Sequence, residues 1–119
     1  MVKVKVAVPT KGYAGLEDKV SEVFGKAKTF TIVEIEDGKI VSMHVIDNPA
    51  SSYAHGSGPI VVKTLADLKV DAVLVTGIGP GASELLDYHQ IKKVLVEPSM
   101  SVAEAIKRNL AKFEQIAKQ

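Results

Sequence analysis

Asp71-Ala72-Val73-Leu74-Val75-Thr76-Gly77-Ile78-Gly79-Pro80-Gly81 is the stretch on which the fold turns. Residues 71–76 form a short, continuous apolar run, the pattern of a strand buried on both faces, as in a parallel sheet. Three glycines and a proline then break it, and Ala82-Ser-Glu-Leu-Leu-Asp-Tyr88 follows as a helix of about two turns. A buried strand that turns through glycine into a helix is the repeating piece of an α/β domain.

Upstream, Val2, Val4, Val6 and Val8 alternate with Lys3, Lys5 and Ala7, giving the period of two of a strand that Pro9 ends. Residues 10–28 read as a long loop, with Leu16, Val20, Val23 and Phe24 spaced like one face of a short helix. Residues 29–36 and 39–47 are rich in β-branched side chains and flank Asp37-Gly38, the signal for a two-residue type I′ hairpin. That register sets Glu36 opposite Lys39 and Val33 opposite Ser42. Thr31, Val33, Ile35, Ile40, Ser42 and His44 would then share one face, with Phe30, Ile32, Val41, Met43 and Val45 on the other. Neither face is cleanly polar, so both meet some cover, as in a three-layer domain.

Residues 48–58 are rich in Asn, Pro, Ser and Gly and mark a second loop. Pro59 suits a first helical turn, and Val61, Leu65 and Leu68 continue a helix over 59–69. Residues 91–96 make another strand. Ser101-Val-Ala-Glu104 is a capping box opening a last helix whose buried stripe is Val102, Ile106, Leu110, Phe113 and Ala117. The order β, β, β, α, β, α, β, α predicts a parallel sheet in the second half with the hairpin as an antiparallel edge. No repeat or interdomain linker interrupts residues 1–119, which read as a single domain.

Composition narrows the function. Fifteen basic and fourteen acidic residues leave a net charge of +1, with no field to attract nucleic acid or an anionic membrane. No apolar run is long enough to span a bilayer, and the alternating start is unlike a signal peptide, so a cytoplasmic location is expected. Without cysteine there is no disulfide, thiol nucleophile or thiolate metal ligand, and a metal would depend on three histidines, carboxylates or the main chain.

In an open α/β sheet, ligands collect beyond the carboxyl ends of the parallel strands. Three loops meet that condition: the one after Val8, residues 48–58, and Gly77–Gly81. At Gly77, Gly79 and Gly81 the main chain can approach an anion closely at a helix start, where free N–H groups and the positive end of the helix dipole point outward. The motif is neither a P-loop nor a complete dinucleotide fingerprint, and a tight strand-to-helix turn explains it equally well. His55, between the loop residues Asn48, Ser51 and Ser52 and the glycines Gly56 and Gly58, is a candidate anion or metal ligand. Thr10 and Lys11 are candidate anion contacts. His44 and His89 read as structural, and Glu17, Asp18 and Glu22 as a solvated helix face. No nucleophile, base and orienting group fall together, so no enzymatic activity is expected.

Taken together, Val23-Phe-Gly-Lys-Ala27, Asn48-Pro-Ala50, His55-Gly-Ser-Gly58, Ile78-Gly-Pro-Gly81-Ala82 and Ser101-Val-Ala-Glu-Ala105 resemble the dinitrogenase iron–molybdenum cofactor biosynthesis family, over nearly the whole chain. The resemblance implies a ribonuclease H-like motif with a mixed five-stranded sheet in the order 3-2-1-4-5 and helices on both faces. It also implies non-catalytic binding of an anionic iron–sulfur or iron–molybdenum-type cluster, with a protein partner in cofactor assembly and a connection to nitrogen fixation. Thr10, Asn48, His55, Gly56, Gly58, Gly77, Gly79 and Gly81 are the expected ligand-binding residues, with His55 on the metal. The family commonly carries histidine where this chain has Val23. The alternatives are a binding domain for a small molecule or phosphate anion, or a protein-interaction module. A nuclease is excluded, since residues 2–8 lack the acidic residue its metal pair needs.

Overall fold

The alternating valines of the first strand occupy the middle of the sheet. In the computed structural model, which describes residues 3–53 and 56–118, β1 (Lys3–Thr10) lies between β2 (Thr29–Glu36), antiparallel to it, and β4 (Ala72–Val75), parallel to it. β3 (Lys39–Asp47) forms one edge and β5 (Lys92–Leu95) the other, giving the order β3-β2-β1-β4-β5. This is the mixed 3-2-1-4-5 sheet expected from the resemblance.

Two helical layers complete the fold. Val4, Val6 and Val8 project into a core with Val102 and Ile106 of α3 (Val102–Arg108) and Phe113 of α4 (Leu110–Ala117). Ala7, Ile32 and Phe30 project to the other side against Val61, Val62 and Leu65 of α1 (Ser57–Asp67) and Leu86 of α2 (Pro80–Tyr88). The period of two in β1 thus feeds two separate cores. Among the described residues, no helix is long and apolar enough to cross a membrane.

Four local readings change. β1 runs on through Pro9 to Thr10, because its pairing with β4 is confined to Val6 and Ala7 and leaves the proline opposite no strand on that side. The Pro9 carbonyl instead accepts from Ser21 N at 2.7 Å. The hairpin turn has the expected positive φ at Asp37 (51°) and Gly38 (80°), and Glu36 does pair with Lys39. A bulge at Val41 then shifts the ladder, so Val33 faces Met43 and Ile32 faces His44, and Ser42 and His44 lie on the opposite face from the one expected. Residues 10–28 hold only a 3-10 turn at Gly15–Glu17, and Asp18 is buried there, its carboxylate accepting from Ala14 N and Lys19 N. The last helix breaks at Asn109, whose side chain donates to the Ala105 carbonyl at 2.7 Å; the buried stripe continues across the break.

Candidate functional site

The chain leaves β1 toward β2 on one side, while β4 leads through α2 to β5 on the other. A crevice opens at this divergence, at the carboxyl end of the parallel strands. Its volume is about 360 Å³, and it is lined by Glu22–Gly25, Ser57 and Gly58 at the start of α1, and Gly77–Gly79 and Ala82 at the start of α2.

Segment 22–25 is held from both sides. The Thr76 hydroxyl donates to the Glu22 carbonyl at 3.1 Å, fixing the segment to the end of β4. Asn48 donates from Nδ2 to the Gly25 and Ala27 carbonyls at 2.9 and 2.8 Å, and its Oδ1 accepts from Ala50 N. Phe24 is buried against Phe30 in an edge-to-face contact. Gly25 is set by close approach: a Cβ there would lie 2.8 Å from Ser57 Oγ and 3.3 Å from Gly58 N.

The two helix starts are the notable electrostatic feature. α1 opens on Gly56, left-handed at φ 77°, and α2 on Gly79, with Pro80 as its first residue. Neither cap residue has a side chain to accept from the first turn, and neither first turn carries an acidic residue. Among the described residues, nothing accepts from the N–H groups of Ser57, Gly58, Gly81 or Ala82. A Cβ at Gly58 would lie 3.4 Å from that of Ala82, so the two starts are side by side. Two helix starts whose first-turn donors have no partner among the described residues therefore border one hollow.

The predicted site residues divide accordingly. Gly58, Gly77 and Gly79 line the crevice, and Gly56 and Gly81 belong to the two helix starts. Gly77, Gly79 and Gly81 do not have positive φ, and a Cβ on any of them would meet nothing within 4 Å. Glycine there leaves room; it does not supply a left-handed nest. Thr10 is wholly buried, its hydroxyl 2.6 Å from that of Thr29 and 3.1 Å from that of Thr31, so its side chain does not reach the crevice. Asn48 is buried too and its amide is fully engaged, which makes it a brace for the crevice wall. His55 lies outside the described residues. His44 is exposed on the edge strand, and His89 follows α2 with its ring edge-on to Tyr88.

Sequence reading did not single out Glu22, Phe24, Ser57, Ile78 or Ala82 as lining residues. Phe24, Ser57, Ile78 and Ala82 stood within the family motifs, and Glu22 read as part of a solvated helix face. A larger hollow, about 490 Å³, lies at the opposite end of β4 and β5 among Asp71, Asp87, Gln90 and Lys92. The Asp71 carboxylate there already accepts from Lys5 N at 2.8 Å, and no helix start faces it. Among the described residues, no three His, Asp or Glu side chains stand close enough to hold a metal by themselves.

A family model described as "Dinitrogenase iron-molybdenum cofactor" matches residues 2–112. The chain belongs to that family. The chain is also similar to solved structures. The apo form of the orange protein from Desulfovibrio gigas superposes with a TM-score of 0.82 at 27% identity, covering 92% of this chain and 88% of that one. A Thermotoga protein of the DUF35 family, solved by NMR, gives 0.73 at 31% identity with the same coverage of 92% and 88%. An uncharacterized protein of Methanocaldococcus jannaschii is 36% identical over 78 residues, which is 66% of this chain and 62% of that relative's length. The family's name associates it with the iron–molybdenum cofactor.

Proposed function

We propose that this protein binds and carries an anionic iron–sulfur-based cluster, of the iron–molybdenum type or a precursor, as cargo in the crevice, without transforming it. The observation that carries this reading is the convergence of two uncapped helix starts on a glycine-walled hollow, in a chain of this family. The donor set suits such a cargo. Main-chain N–H groups stabilise negative charge and sulfide without chemical change, and Val23, Phe24 and Ile78 offer apolar wall to a weakly hydrated sulfide surface. The Ser57 hydroxyl adds a donor, and His55, next to the α1 start in sequence, is proposed as the imidazole ligand on the metal. A partner in cofactor assembly that delivers or receives the cargo follows from a carrier role.

Anaerobic reconstitution with ferrous iron, sulfide and molybdate, followed by desalting and metal analysis, tests the reading. Wild type should retain metal; His55→Ala should lose most of it, and Gly79→Asp, which puts a carboxylate at the α2 start, should lose more. Wild type that emerges free of metal overturns the proposal.

A further inference from the structure

We propose that a second copy of this chain pairs with the outer edge of β3, strand to strand and antiparallel, about a two-fold axis at Met43. What the crevice holds does not bear on this pairing, because none of the crevice's lining residues belongs to β3.

The two edges of the sheet differ. β5 is four residues long, opens on Lys92 and Lys93 and is soon followed by Pro98, the short, charged kind of edge that discourages pairing. β3 is nine residues long, and from Ile40 to Ile46 it carries no Asp, Glu, Lys or Arg. On it Ile40, Val41 and Met43 are 39%, 53% and 40% exposed. Its main chain is open as well. Asn48 N donates to the Lys28 carbonyl, and bonded residues alternate along an antiparallel ladder. Ile46, His44 and Ser42 therefore bond toward β2, while Met43, Val45 and Asp47 turn their N–H and C=O outward. Before the bulge at Val41, Lys39 is the bonded partner of Glu36 across the two-residue turn, which turns Ile40 outward too. Among the described residues, nothing meets these outward groups.

In this register the strand is complementary to itself. Ile40, Met43 and Val45 stand opposite Ile35, Val33 and Thr31 and so share the α3 face of the sheet. With Val41 and Ser42 together taking one bulged position, Met43 lies opposite Met43 of the second copy, and Ile40 opposite Val45 of the second copy. Each pair joins outward-turned main chain to outward-turned main chain and apolar side chain to apolar side chain. The hollow beside Ile40, about 390 Å³ between Ala103, Ile106 and Leu110, receives the second copy's Val45. The antiparallel run also sets Lys39, at the basic start of one strand, beside Asp47, at the acidic end of the other, whereas a parallel run would bring like charges together. Main chain, apolar pattern and end charge thus all match this strand to a second copy of itself.

The test is sedimentation of the full chain from about 10 µM to about 1 mM, the range that an interface as small as one strand pair calls for. Wild type should dimerise as concentration rises. Ile40→Lys sets a charge in the apolar stripe, and Val45→Pro removes an outward N–H without touching the ladder to β2. Two-fold symmetry counts each change twice, so each should weaken association by about tenfold or more at an unchanged melting temperature. Tyr88→Lys, at a side chain 80% exposed on α2, should leave association as it is. Because the chain has no cysteine, oxidation reads the register. Met43→Cys should form a disulfide-linked dimer far faster than Tyr88→Cys, since a bonded antiparallel pair holds its Cα atoms about 5.5 Å apart. Wild type that stays monomeric at about 1 mM overturns the pairing and leaves the edge to a strand from another protein. Dimers that Ile40→Lys and Val45→Pro do not weaken, or that Tyr88→Lys weakens as much, overturn the choice of β3. Equal cross-linking of the two cysteine variants overturns the register. If Val45→Pro melts early, Ile40→Lys and the cross-linking decide.

Discussion

The start of α3 and the starts of α1 and α2 solve the same chemical problem in opposite ways. At α3 the Ser101 hydroxyl accepts from Glu104 N, the Asp18 carbonyl accepts from Val102 N, and Glu104 places a negative charge in the first turn. Segment 18–20 is stitched across this start by Val20 N to the Met100 carbonyl at 2.8 Å. Two of its first-turn donors, Val102 N and Glu104 N, are thus used within the chain. α1 and α2 have glycine caps, no acidic first turn and four N–H groups with no partner among the described residues. Orphan donors at a helix end are ordinarily met by side chains, water or ligand. Among the described residues, the start that supports the core is capped by side chain and main chain, and the two that border a hollow are not.

The largest expected effect comes from removing the brace that gives the open starts a wall. Asn48→Ala leaves the Gly25 and Ala27 carbonyls and the Ala50 N–H without their partner in a buried place. Each unmet group costs about 1 kcal/mol or more, so the loss should be about 3 kcal/mol in a urea melt. Next comes Gly79→Asp, which turns the α2 start into an α3-like one. Gly79 has φ −70° and ψ 158°, a cap conformation that aspartate also favours, and a Cβ there meets nothing. Stability should rise by about 0.5–1 kcal/mol while anion affinity falls at least tenfold. A variant that gains stability and keeps its affinity would break the link between open starts and binding.

How legible this contrast was in the sequence depends on range. The capping box was readable because Ser101 and Glu104 are three residues apart and act on each other. The sheet order was expected from the resemblance alone, while cover on both faces of the sheet followed from the residue pattern. Gly77–Gly81 was readable as a glycine turn from a strand into a helix, and a Cβ on Gly77, Gly79 or Gly81 would meet nothing within 4 Å. Thr10 and Asn48 are engaged within the chain, and a polar residue in a loop looks the same in sequence whether it meets ligand or main chain. What decides is contact with Thr29 and Thr31, or with Gly25 and Ala27, about twenty residues away. The bulge at Val41 has no sequence mark at all, so the hairpin was right at its turn and shifted beyond it.

Two controls on the closed side sharpen the comparison. Ser101→Ala should lower stability by about 1 kcal/mol and leave anion binding unchanged, because the donor it exposes does not border the crevice. The smallest effect is expected at Lys3 and Glu34, an ion pair of 2.9 Å on the sheet in which neither residue lines the crevice. Its hydrogen bond to Lys3 holds the Glu34 carboxyl below the ordinary range. A carboxyl lowered on folding stabilises the fold above its unfolded pKa, and that contribution is lost as pH falls through the lowered value. Glu34→Gln should therefore flatten the acid side of a stability–pH curve slightly, with more effect at low salt than at high, while oxyanion affinity at neutral pH stays at the wild-type value. A change in that affinity would mean that charge anywhere on the sheet tunes the crevice, and the open helix starts would lose their special standing.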